Sequence, residues 1–76
     1  MLYSFTLHVD GINLDNKYYE DALYNVGCTD ALIAVIDGAL FLDFSRQAPS
    51  YDLAVQTAMR AVEKAGGRVT GVDRIS

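Results

Sequence analysis

Seventy-six residues with 51% apolar and 21% charged content, one Pro and one Cys describe one small domain, too short for the second core of a two-domain enzyme. Residues 31–36 and 39–42 form the longest apolar runs, far short of the roughly 20 residues that span a bilayer, and residues 1–9 lack a basic segment followed by an apolar one. Neither membrane insertion nor export is therefore expected, and a cytoplasmic setting is. The net charge of −4 is uneven: residues 1–45 hold seven acids (Asp10, Asp15, Glu20, Asp21, Asp30, Asp37, Asp43) against Lys17 alone, and residues 46–76 hold three acids against five bases. Such a surface repels phosphate, which argues against direct nucleic-acid binding and for a cationic protein partner.

From Tyr3 to Val9, apolar Tyr3, Phe5, Leu7 and Val9 alternate with Ser4, Thr6 and His8, the two-residue period of a half-buried strand. The turn-prone Asp10-Gly11-Ile12-Asn13 follows, after which Tyr19, Ala22, Leu23 and Val26 recur at helical spacing. Asn13 or Asp15 is the expected N-cap of this helix, and Gly27 its end. Ala31 to Ile36 and Ala39 to Phe44 are strand-forming runs separated by Asp37-Gly38, the dipeptide best suited to a type I′ hairpin turn.

A two-residue loop fixes the register: Ile36 pairs with Ala39, Val35 with Leu40, Ala34 with Phe41, Ile33 with Leu42, and Leu32 with Asp43. One hairpin face then carries Ile33, Val35, Leu40, Leu42 and Phe44, and the other Leu32, Ala34, Ile36, Ala39 and Phe41. Pro49 and a Ser50 N-cap open a second helix whose apolar stripe is Tyr51, Val55, Ala58, Met59 and Val62, and Gly66-Gly67 ends it. Arg68 to Ile75 is a last strand, interrupted by Gly71. The order βαββαβ, with right-handed crossovers, predicts an α+β ferredoxin-like sandwich: a four-stranded antiparallel sheet with two helices on one face.

Helices cover only one face of such a sheet. The open face is expected to show Leu32, Ala34, Ile36 and Phe41 beside Ser4, Thr6 and His8, an apolar concentration that suits an interface with a partner or a second copy. Asp10, Asp15 and Asp37 are expected at the end where the first strand finishes, with Glu20 and Asp21 projecting from the first helix beside Tyr24. Carboxylates spread over a surface present charge to a protein built to grip phosphates through Arg and Lys.

Enzymatic signatures are not expected. Cys28 reads as a small buried hydrophobe, with His8 placed too far away to act as its base. One His and one Cys cannot make a zinc site, and residues 10–15 lack the spacing and distal Glu of a calcium loop, so no metal and no other cofactor is expected. Gly66-Gly67 follows a helix rather than opening one, so it is a cap and not a phosphate cradle.

The segments Leu23-Tyr-Asn-Val-Gly-Cys-Thr-Asp30, Val35-Ile-Asp-Gly-Ala-Leu-Phe-Leu-Asp-Phe-Ser-Arg46 and Ala48-Pro-Ser-Tyr-Asp-Leu-Ala-Val55 resemble a small α/β module of bacterial and phage proteins. That module often precedes a helix-turn-helix in predicted DNA-binding regulators, and the likeness covers residues 3–72. It implies dimerisation or partner binding. In size, charge and architecture the chain also looks like phage and mobile-element inhibitors of nucleic-acid machinery, anti-CRISPR proteins among them. The leading expectation is a non-enzymatic inhibitor presenting Asp10, Asp15, Glu20, Asp21 and Asp37, with Tyr24 as anchor, to the basic DNA-binding surface of an effector complex such as a CRISPR effector subunit. The alternative is the dimerisation or partner-binding half of a regulator or antitoxin, acting through Leu32, Ala34, Ile36 and Phe41.

Overall fold

The computed structural model describes residues 1–75, with side chains for residues 1–74. Six elements follow one another: β1 (Leu2–Asp10), α1 (Tyr19–Asn25), β2 (Ala31–Ile36), β3 (Ala39–Gln47), α2 (Tyr51–Lys64) and β4 (Arg68–Ile75). The strands form one antiparallel sheet in the order β2-β3-β1-β4, so the ferredoxin-like sandwich expected from the element order is the observed fold.

The hairpin shows how closely local chemistry dictates this arrangement. Asp37 (φ 51°) and Gly38 (φ 79°) both take positive φ, as a type I′ turn demands, and the right-handed twist of the flanking strands accepts that turn. All the pairs expected from it are present, from Ile36 opposite Ala39 to Leu32 opposite Asp43. Alternation then sends Phe5, Leu7 and Val9 of β1 and Leu40, Leu42 and Phe44 of β3 inward, where all six are buried.

Both helices close over that face. From α1 only Leu23 is buried, with Tyr19 and Val26 packed at its margin; Ala22, expected on the same stripe, is exposed. From α2 the buried residues are Ala54, Ala58, Ala61 and Val62, while Tyr51, Val55 and Met59 pack at the edge. Small alanines at the contact let the α2 backbone approach the sheet closely, which shifts its buried stripe from the one read by side-chain size. An aromatic cluster fills the opposite end: Phe5 and Phe44 stack with centroids 5.3 Å apart, and Tyr51 meets Phe5 edge-on at 6.0 Å.

The helix ends divide the expectations. Ser50 caps α2 by accepting from the Leu53 N–H at 3.2 Å. At α1 neither Asn13 nor Asp15 is the cap. Tyr18 occupies that position with no side-chain bond, because Asn13 Oδ1 instead accepts from the Asp15 N–H and Asn16 Oδ1 from the Tyr18 N–H. The asparagines are spent on two local turns, which delay the helix to Tyr19.

Gly67 sits where the helix–sheet seam leaves no room for a side chain. A Cβ there would lie 2.8 Å from Val62 Cγ1 and 3.0 Å from both Ile12 Cδ1 and Val9 Cγ1. Gly67→Ala is expected to cost about 1–3 kcal/mol through overpacking. Thermal melts check this, and Val62→Ala in the same chain should recover part of the loss.

Candidate functional site on the open sheet face

Away from the helices the strands line up in rows. Leu32, Asp43, Thr6 and Asp73 form one row, and Ala34, Phe41, His8 and Gly71 the next; beyond them Ile36 faces Ala39 and Asp10 faces Arg68. The β1–β4 register shifts between His8 and Val9, which makes Thr70 the extra residue of a bulge. Thr70 Oγ1 donates to the His8 carbonyl at 3.3 Å and holds the bulge in place.

His8 sits at the centre of this face. Its ring meets Phe41 edge-on, centroids 4.9 Å apart, and lies over Gly71, where a Cβ would stand 3.4 Å from the imidazole. His8 Nε2 is 2.7 Å from Asp73 Oδ2, which places a proton on Nε2 in that contact. Thr6, the neighbour on the same strand, donates its hydroxyl to Asp43 Oδ1. The hydroxyls of Thr6 and of the bulge residue Thr70 are thus committed to Asp43 and to the backbone.

The expected apolar residues share this face. Leu32 is 75% exposed and Ile36 58% exposed, while Ala34 and Phe41 are half-buried against their neighbours. Where β1 ends, His8, Asp10, Asp37, Phe41 and Thr70 line a shallow hollow of about 360 Å³, so Asp10 and Asp37 do come together. Asp15 does not line it. Asp15, Glu20, Asp21 and Tyr24 lie exposed on α1 and the loop before it, forming a second acidic group in the helix layer.

Asp10 is held by two partners. It accepts from the Gly11 N–H and from Arg68 Nη2, each at 2.8 Å, and these two partners in that order hold its carboxyl below the usual range. Asp43 and Asp73 belong to the acidic set of the open face. Their membership depends on strand register, and for Asp73 on a bulged pairing with β1 that hydrophobic periodicity does not reveal.

A further group of residues from the resembling motif has a structural task. Arg46 at the end of β3 donates from Nε and Nη2 to the two carboxylate oxygens of Asp30, both at 2.8 Å, and from Nη2 to the Gly27 carbonyl at 2.7 Å. Its Nη1 reaches Thr57 of α2 at 3.2 Å, and its guanidinium lies 4.9 Å over the Phe44 ring. Gly27, Asp30, Phe44 and Arg46 therefore form one clamp that ties the α1–β2 loop and α2 to the sheet. Cys28 beside it is fully buried in the core, and that burial pushes its thiol pKa up.

Fold and site together define a ferredoxin-like domain with an exposed sheet face, apolar along the hairpin and carboxylate-rich around it. No protein-family model matches the chain, and no curated protein matches it in sequence. Among the described residues no helix is long and apolar enough to cross a membrane, and no three metal-ligating side chains converge.

Proposed function

We propose that this chain is a non-enzymatic binding protein whose open sheet face docks on the basic, nucleic-acid-binding surface of a partner protein and blocks it, as an anti-CRISPR-type inhibitor does. The observation that carries the reading is the composition of that face. Leu32, Ile36 and Phe41 supply contact area, and Asp10, Asp37, Asp43 and Asp73 surround them, with Arg68 the base opposing them in the rows. Apolar burial supplies affinity, while the carboxylates steer a cationic surface into place and compete with phosphate for its Arg and Lys.

The expected signature is salt dependence: raising ionic strength from about 0.05 M to about 0.5 M shortens the screening length from roughly 14 Å to roughly 4 Å and should weaken binding at least tenfold. Asp37→Lys with Asp43→Lys should abolish both binding and displacement of nucleic acid from the partner. A double reversal that leaves binding intact rules out charge mimicry.

The second reading, a partner-binding module of a regulator or antitoxin, is favoured by Leu32 and Ile36, whose exposure gives a contact independent of charge. It predicts binding that ignores salt and the two reversals yet is lost in Phe41→Glu.

A further inference from the structure

β2 is an edge strand without the usual protection against pairing. Its residues Ala31–Ile36 carry no charge and no Pro, and its pairing with β3 runs without a bulge. The other edge, β4, differs in each respect but Pro, with Arg68, Asp73 and Arg74 along it and a bulge in its pairing.

The hairpin turn decides which backbone groups of β2 are free. A two-residue turn makes its flanking pair, Ile36 and Ala39, a hydrogen-bonded pair, and alternate pairs repeat the pattern at Ala34 and Leu32. The Ser45 N–H donating to the Asp30 carbonyl at 3.1 Å continues it. The N–H and C=O groups of Ile33 and Val35 therefore point away from β3, off the sheet.

We propose that β2 pairs antiparallel with β2 of a second copy about a two-fold axis at Ala34, joining two four-stranded sheets into one of eight strands. This register is self-complementary. Ile33 of one copy opposes Val35 of the other in a hydrogen-bonded pair, and the symmetry repeats it, so all the outward groups of these two residues are satisfied. On the open face Leu32 opposes Ile36 twice, and the small Ala34 meets its own copy at the axis, all three as the closely spaced non-hydrogen-bonded pairs. Moving the axis to Ile33 sets Ile36 against Asp30, and moving it to Val35 sets Leu32 against Gly38. Either move strands one of the two most exposed β2 side chains. The pairing does not require the proposed function, and it merges two open faces into one continuous platform.

Sedimentation between about 1 µM and about 1 mM, the range suited to so small an interface, should show monomer passing to dimer. Ala34→Cys should oxidise to a disulfide-linked dimer on a non-reducing gel, since opposed residues of a non-hydrogen-bonded pair sit about 4.5 Å apart at Cα, within the range of about 4.4–6.8 Å that a disulfide spans. Cys28 is buried and leaves the introduced thiol as the reactive one. Leu32→Cys and Ile36→Cys should each fail to cross-link alone and succeed when mixed. Leu32→Lys with Ile36→Lys should give monomer, and Leu32→Glu with Ile36→Lys should restore the dimer; both positions are exposed, so folding is preserved. A wild type that stays monomeric throughout overturns the proposal. So does a dimer in which Leu32→Cys cross-links as well as Ala34→Cys, or one dissolved by Phe41→Glu while the lysine pair leaves it intact.

Discussion

Replacing Arg46 by Ala is expected to cost about 2–3 kcal/mol of folding stability and to lower the melting temperature by about 10–20 °C in a domain of this size. The guanidinium satisfies both oxygens of Asp30 and the Gly27 carbonyl, and only 14% of the Arg46 side chain is exposed. Its loss strands a partly buried carboxylate and frees the loop that sets the start of β2. Arg46→Lys keeps the charge but not the planar fork, and should lose about half as much.

The same pair gives the loss a pH signature. Hydrogen bonds from Arg46 hold the Asp30 carboxyl below its ordinary value, against the opposing effect of burial. A depressed folded-state pKa contributes stability that is fully present above the unfolded value, about 3.9, and is lost as pH falls through the folded value. The gap between wild type and Arg46→Ala should thus be full at pH 7 and narrow below about pH 4. Urea melts at pH 7, 4 and 3 measure it, and a gap indifferent to pH would place the stabilisation elsewhere.

The second large effect concerns binding. Leu32→Ser with Phe41→Ala is expected to weaken partner binding by about 30–100-fold, the loss typical of truncating central apolar anchors, with net charge unchanged. Leu32 is mostly exposed, so the melting temperature should barely respond to it; Phe41 leans on His8 and contributes a small loss. Binding unchanged in this double variant would remove the hairpin face from the interface and leave the carboxylates of α1 as the contact.

The hairpin and the second helix were the most legible parts of the chain, because their signals are local. Asp37-Gly38 sets both turn type and register, and Ser50 directly supplies an N-cap bond. The start of α1 was not legible: Asn13, Asp15 and Asn16 can all cap a helix, and choosing among them requires knowing that two of their side chains close turns first. The apolar half of the open face followed from the hairpin register. The Arg46–Asp30 clamp did not, since it depends on where the α1–β2 loop lies against the end of β3. Asp73 and Gly71 joined His8 only through the β1–β4 pairing across a bulge, which alternation within β4 alone does not specify.

The most direct test of the binding-face proposal is co-elution of the purified protein with DNA-binding effector complexes, CRISPR effectors included, at low and high salt with target DNA as competitor. The proposal predicts a complex at low salt that excludes DNA, dissolves at high salt, and fails to form with Asp37→Lys/Asp43→Lys. A complex that retains DNA, or that forms equally well with the reversed carboxylates, would contradict it.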